Sequence, residues 1–536
     1  NLHCPKPQMC RMYPLPFLQG SQLNISPLVR IECGQGGICL QRKMPIFYSA
    51  LLLAGVNVVL RMVSTSFQVF LSGRIGPAGI GLLQLVLSVG SLCMTLSMAG
   101  IRTATMYLCA EELGKKRPEN VIWVLSGCFL YSIVCSSVIS LGLQFFAPLI
   151  AQKWIGHPET VSAIRLYGCF IPVTCLCAVM IGYFTAANRI GTLAAVEIAE
   201  QGLYMLVTMA LLMFWAGNDP TKACRSVILG AGFSSSMSLC VLVYLRIRER
   251  SPKSTGIPVG KRLVNCAVPL GLGDALRAGI STTENLMVPK RLGLYAGISD
   301  PLAAFGLVCG MVFPVLMFPA AIVYALAELL IPELARCAAA GSTARVKYLV
   351  KKSLHVVLLF SCLCCGIEFL LAGELTGWLY KNKDAGQYLK MYALLIPMLY
   401  CDAITDSMTK GLGQQAACVR YNIATSAMDV VFLFILLPRY GMMGYYFSFL
   451  VTHLLNFLLS LRRLLKTAKV VIPLKGPLVC VGCTMIAAGL CRQVSSVGLK
   501  IGAFVLLFLS LLTLTGIIGK RDLVWLKGLV KANGSY

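Results

Sequence analysis

The sequence predicts an all-α protein that crosses a membrane about fourteen times, as two six-helix bundles in parallel repeat followed by two further helices. Three observations carry that prediction. Hydrophobic residues make up 57% of the 536 and charged residues only 13%, more apolar surface than a water-soluble domain can hide. The apolar residues fall in stretches of about 20, the helical length needed to cross ~30 Å of hydrocarbon. The ~10-residue alternating segments of a membrane barrel do not occur.

Taken in order, stretches centred near residues 58, 89, 132, 175, 204 and 236 form a first set of six. Stretches near 272, 313, 360, 398, 428 and 451 form a second, and those near 481 and 509 close the chain. Polar turns separate them, among them LGKKRPEN (113–120), RERSPKSTG (248–256) and LRRLLKTAK (461–469). With both termini placed in the cytoplasm, the inner segments hold 29 lysines and arginines against 13 in the outer loops, which sets the orientation. The net charge of +26 is then explained by inner-face cations against anionic lipid, and needs no nucleic acid. Residues 1–43 differ in character, being rich in Pro and Cys without apolar periodicity. They read either as an over-extended reading frame, with translation starting near Met44, or as a short disordered cytoplasmic tail.

Catalytic machinery is not visible: the chain has no P-loop, nucleophile elbow or HExxH motif, so no enzyme is expected. The 24 cysteines lie mostly in apolar stretches, as CLC (175–177) and CLCC (362–365) do. They read as small apolar filler and free thiols with no metal role.

One pattern recurs. LRMVSTS (60–66) and LRAGISTT (276–283) both place an arginine inside an apolar stretch, and each runs into a basic Gly turn, GRIGPAG (73–79) and KRLGLYAG (290–297). The two copies stand six stretches apart. An even number gives both halves the same orientation, a parallel repeat with the transport site between the halves. The expected domains are residues 44–250 and 261–465 as bundles, 251–260 as the cytoplasmic linker and 466–536 as the added helices and C-terminus.

The run LLLAGVNVVLRMVSTSFQVFLSGRIGPAGIGLLQLVLSV (51–89), followed by MAGIRTATMYLCAEELGKK (98–116), resembles the stage V sporulation protein B-like branch of the multidrug/oligosaccharidyl-lipid/polysaccharide exporter superfamily. The similarity runs from about residue 44 to the C-terminus. It implies a V-shaped pair of six-helix bundles, alternating access, and a lipid-linked sugar moved from the inner to the outer leaflet during wall or spore-cortex synthesis. It also implies a bacterial cell-membrane location, with the lipid bilayer and the lipid-linked sugar as the partners and the monomer as the working state. Related lipid II flippases carry several cavity arginines on their first two helices. Here Arg61 and Arg102 stand in that region, but Phe67 and Gln68 occupy the positions after Arg61 where another arginine is expected.

An arginine at mid-bilayer costs ~2.5–3.5 kcal/mol, so it faces a wet cavity or a paired charge. Arg61 and Arg277 on equivalent helices can face one cleft, where a guanidinium fork matches the oxygens of a diphosphate head group. The alternatives are an ion pair between bundles, such as Arg61 with Asp274, self-neutralisation of Asp274 and Arg277 one turn apart, or snorkelling. Arg102 is either a substrate contact or an inner-face anchor, and Gln68 joins the cavity set. Among the acids, Glu284, Asn285 and Asp429 offer oxygen ligands for Na+ or sites for proton exchange, and related flippases are thought to use a cation in this second bundle. Asp402 and Asp406 form a stripe with Lys410, and Asp406–Lys410 is expected as a salt bridge. Glu197 and Glu200 are the first bundle's acids. For each acid, structural pairing between helices is the competing role. No cofactor is expected beyond coupling to Na+ or H+. Pro269, Gly271 and Gly273 weaken the helix carrying Arg277, which reads as a gate; Pro172, Pro314, Pro319 and Pro397 read as simple kinks.

The leading function is therefore a flippase for a lipid-linked oligosaccharide or peptidoglycan precursor, and the alternative is a cation-coupled multidrug exporter on the same fold. The outer loops are too short to carry the acids of a membrane glycosyltransferase.

Overall fold

A computed structural model describes residues 46–115, 117–187, 189–217, 219–248, 259–471, 473 and 475–519. The expectations for residues 1–43 and for nearly all of the 251–260 linker lie outside these residues, as do the side chains of Arg61 and Pro269. Residues 50–536 form one unit, separate from the segment before it.

Every described element is a helix. The first, α1 (Ile46–Met98), is two arms meeting at Gly76, whose φ of 69° ends one arm before Pro77 starts the next. Left-handed Ala99 and Gly100 then separate it from α2 (Ile101–Gly114). Next come α3 (Val121–Leu149), α4 (Val161–Ala186), α5 (Ile190–Leu211) and α6 (Pro220–Ile247). Asp219 caps α6, accepting from the Thr221 N–H at 2.9 Å and the Thr221 hydroxyl at 2.7 Å. Those bonds, the hydroxyl's above all, hold the Asp219 carboxyl below the usual carboxylate range. Within this set α4 is central, packing on α2, α3 and α6, while α5 packs on α6.

The second set opens with α7 (Gly260–Leu292). It continues through α8 (Pro301–Gly306), α9 (Phe313–Leu316) and α10 (Ala320–Ala339), then α11 (Thr343–Tyr380), α12 (Asp384–Ala393) and α13 (Ile396–Gly411). The long α14 (Gln415–Ala468) is broken at Gly441, φ 57°. Here α13 packs on α10, α11 and α14, and α7 packs on α14. Last come α15 (Lys475–Cys491) and α16 (Val497–Leu514), which dock on α11. Their contact with it is a thiol and ring core of Cys362, Cys480, Cys483, Phe504 and Phe508, fastened by Lys500 Nζ to Glu374 Oε1 at 2.6 Å. These cysteines are free thiols packed as small apolar side chains.

The chain is thus an all-helical, multi-span membrane protein. Among the described residues nine helices are long and apolar enough to cross a membrane, or ten if one bent pair is a single span. Reaching the expected fourteen further requires Met62–Leu113 and Gln415–Ala468 to be two crossings each, α12 with α13 to be one, and the short α15 to be another. The bent pair turns by 63° between Pro301–Leu316 and Ala320–Ala338, where Pro319 interrupts the hydrogen-bond ladder.

Candidate functional site along helix α7

Helix α7 runs between the two sets of helices, contacting α2 and α3 on one side and α14 on the other. Gly271 and Thr282, 11 residues or three turns apart, share the face turned to the first set. At Gly271 the backbones nearly touch: a Cβ there would stand 2.5 Å from the Ala99 carbonyl carbon. The Thr282 hydroxyl donates to Ser88 O at 3.1 Å, and Asn285 Nδ2 donates to Ser88 Oγ at 3.0 Å. At the start of α7, Arg262 forks onto two acids of α2, donating to Glu111 Oε2 at 2.8 Å and Glu112 Oε1 at 3.1 Å. Near the far end, a Cβ on Gly306 would collide with Pro77 O, and Gln68 Nε2 donates to Gly310 O at 3.4 Å. The seam between the sets is closed toward both ends of α7.

Among the residues singled out from the sequence, Arg277 sits at the middle of α7, exposed. It makes no hydrogen bond or ion pair among the described residues. Asp274 is also exposed, and the two do not neutralise each other. Arg277, Ser281 and Glu284 follow at i, i+4 and i+7, so one face of α7 is polar. Gln68, read as a cavity residue, is engaged by the backbone across the seam instead of being free. Arg102 is exposed on α2 and lies within electrostatic range of Glu197, while Glu200 accepts from the Ser235 hydroxyl at 2.8 Å. On the segment carrying the first arginine motif, Ser64 Oγ accepts from Gln201 Nε2 at 3.1 Å, which ties the first arm of α1 to α5.

The acids of the second set divide into two connected groups. Glu284 lies within electrostatic range of Asp429, and Asp429 Oδ1 accepts from Ser448 Oγ at 2.5 Å and Thr452 Oγ1 at 3.2 Å. Asn285 instead donates to Ser88 Oγ. Asp402 accepts through both oxygens from Asn456 Nδ2, at 3.2 and 3.1 Å. Asp406 pairs with Lys410 Nζ at 2.8 Å, as the i,i+4 spacing predicts. Among the described residues no group of three or more His, Cys, Asp or Glu is placed to hold a metal. The hard oxygens of Asp429, Ser448 and Thr452 match a small monovalent cation in kind.

In the expected gate, α7 is one helix from Gly260 to Leu292, and Gly271 serves close packing against Ala99. A Cβ at Gly273 would meet nothing within 4 Å.

Sequence reasoning missed two features. One is the Arg262 fork, because Arg262 was counted only as an inner-face cation. The other is a groove of about 830 Å³ beside α7, lined by Leu276, Ile280, Leu286, Trp154, Lys290 and Phe434 among others. Arg291 also lines it and stacks its guanidinium on the Phe434 ring, 3.2 Å from the centroid. The signal for the groove was the Lys-Arg pair of KRLGLYAG, read only as a turn.

Comparison with known proteins agrees with this architecture. The MatE family model matches residues 54–216. Stage V sporulation protein B of Bacillus subtilis (strain 168) is 22% identical over 415 residues, covering 75% of this chain and 80% of that protein. Among solved structures, the lipid II flippase MurJ in an inward closed conformation superposes with a TM-score of 0.67 at 12% identity, over 88% of this chain and 100% of that one. An inward-facing multidrug resistance MATE family transporter superposes with a TM-score of 0.63 at 13% identity, over 78% and 99%.

Proposed function

Since the chain belongs to the stage V sporulation protein B-like branch of the multidrug/oligosaccharidyl-lipid/polysaccharide exporter superfamily, and is a multi-span membrane transporter, we propose that it flips a lipid-linked oligosaccharide or peptidoglycan precursor. The movement is from the inner to the outer leaflet of the bacterial cell membrane, by alternating access of residues 44–250 and 261–465. Both termini are cytoplasmic, and the monomer is the working unit.

The observation that carries this reading is Arg277. It lies at the centre of a membrane helix, exposed, and makes no ion pair among the described residues. Hydrocarbon would penalise it by ~2.5–3.5 kcal/mol, so its guanidinium is kept for an anion that arrives, and a diphosphate offers the oxygens its fork fits. Arg61, at the equivalent place in the first arginine motif, is assigned the other side of the same head group, with Arg102 toward the inner end. Asp429, Glu284 and the Ser448 and Thr452 hydroxyls supply the coupling site for Na+ or H+, and Asp402 and Asp406 belong to its surroundings. A drug exporter for cationic compounds fits less well, because the charged residues lining the large groove, Lys290 and Arg291, are both basic.

The test is a reconstituted system in which a fluorescent polyprenyl diphosphate-sugar is scored by its exposure to an impermeant quencher. Arg277→Ala and Arg61→Ala abolish flipping in protein that still inserts and folds, and Arg277→Lys restores part of it. The double variant Arg61→Asp, Asp274→Arg stays inactive. Recovery of transport by that charge swap would establish a structural ion pair and sink the head-group role of Arg61.

A further inference from the structure

The second arm of α14 carries Ser448, Thr452, Asn456 and Ser460, each four residues after the last and therefore on one face. All four are buried, at 0%, 3%, 5% and 0% exposure. The stripe spans 12 residues, or ~18 Å of helix, about three fifths of the ~30 Å hydrocarbon thickness. It begins at Asp429, held by Ser448 and Thr452, and passes Asp402, held by Asn456. On the facing helix α13, Asp402, Asp406 and Lys410 descend one turn at a time in the same direction, ending in the Asp406–Lys410 ion pair. Arg463 stands at that end too, donating through Nε to Gln414 Oε1 at 3.0 Å.

Four buried oxygens on these two helices have no hydrogen-bond partner among the described residues: Asn456 Oδ1, Thr405 Oγ1, Asp406 Oδ1 and Ser460 Oγ. Asn456 spends both its contacts to Asp402 through Nδ2, so its free Oδ1 is held beside that carboxylate. Buried polar groups are rarely left unmet, and least of all inside a membrane, where no lipid atom can serve them. A dry helix contact would not keep four of them on two facing helices; a thread of water would satisfy all four, since each water needs two to four polar partners.

We infer that the α13–α14 interface holds a hydrated passage joining the Asp429 cluster to the Lys410 end of the protein, with the Asp406–Lys410 pair as its plug. Cations lining a mouth oppose entry of a positive ion, so Lys410 and Arg463 keep the passage shut to cations until Asp406 lets go of Lys410. The passage itself rests on the unmet oxygens. Its use by the coupling ion rests on the reading of Asp429 given above. It would let that ion exchange with one compartment without crossing the cleft that holds the lipid-linked substrate.

The test uses the full chain in proteoliposomes, an impermeant trimethylammonium methanethiosulfonate added to one side, and peptide mass spectrometry to score each thiol separately. Native Cys480, buried in the α11–α15 core, is the internal reference for an inaccessible thiol, and Gln414→Cys marks the Lys410 side. The thiol introduced by Ser460→Cys, and independently by Thr405→Cys, reacts from the Lys410 side on the order of ten-fold faster than Cys480, Lys410→Ala speeds it further, and added Na+ slows it. Rates no faster than Cys480 for both variants, in protein whose Gln414→Cys thiol is labelled, overturn the passage. So does labelling from the opposite side alone. Labelling that Na+, Li+ and protons all leave unchanged supports the passage and removes the cation-coupling reading of Asp429.

Discussion

Removing the guanidinium of Arg262 loosens the closure where α7 meets α2, by an amount that follows from its two bonds. The arm to Glu111 joins partly exposed groups, 39% and 31%, and such pairs contribute about 0.5 kcal/mol. The arm to Glu112 is different, because that carboxylate is only 3% exposed. Losing a charge-assisted bond there costs roughly 1.5–3 kcal/mol, relieved in part because Asn120 Nδ2 still donates to Glu112 at 3.1 Å. The net is about 2 kcal/mol, or about a 30-fold shift in the equilibrium between closed and open seam. Hydrogen exchange by mass spectrometry on solubilised protein reads this directly. In Arg262→Ala, peptides covering 101–115 and 260–268 should exchange faster by up to that factor, while the α15 peptide, remote from the seam, stays unchanged. Arg262→Lys, which keeps the charge but loses the fork, should fall between. Acceleration of less than about two-fold in both seam peptides would refute the idea that this fork holds the closed state.

Two further outcomes are expected. Gly271→Ala lowers the thermal midpoint, because its Cβ would meet the Ala99 backbone, whereas Gly273→Ala raises or preserves it, since Ala is favoured over Gly in a helix by about 1 kcal/mol and has open space there; equal shifts in a thermal unfolding scan would remove the close-packing role of Gly271. Thiols placed at Arg74, Lys153 and Lys381 should react with an impermeant reagent from the outer side of the membrane, and labelling from the cytoplasmic side would reverse the orientation read from the loop charges.

Composition and the length of the apolar stretches determined that this chain is helical and membrane-spanning, because hydrocarbon cannot satisfy a backbone donor or acceptor and leaves the chain little choice. Local spacing determined the Asp406–Lys410 pair, since four residues along a helix is a contact distance whatever the tertiary arrangement. The repeated arginine motif marked α7 as the helix to watch, and on it Arg277 makes no ion pair with Asp274 among the described residues. Spacing along one helix does not say which neighbour faces it. Gln68 reads as a cavity residue, and its amide is bonded to Gly310 across the seam; Gly271 reads as a weak point and is a contact. Arg262 reads as one of many inner-face cations, yet it reaches Glu112, 150 residues away in sequence. The stripe of Ser448, Thr452, Asn456 and Ser460 was legible as a period of four, but only the packing of α13 on α14 set Asp402 against Asn456 and left the remaining oxygens unmet. Periodicity fixes which side chains share a face, and the partner across that face is chosen by the folding of distant segments together.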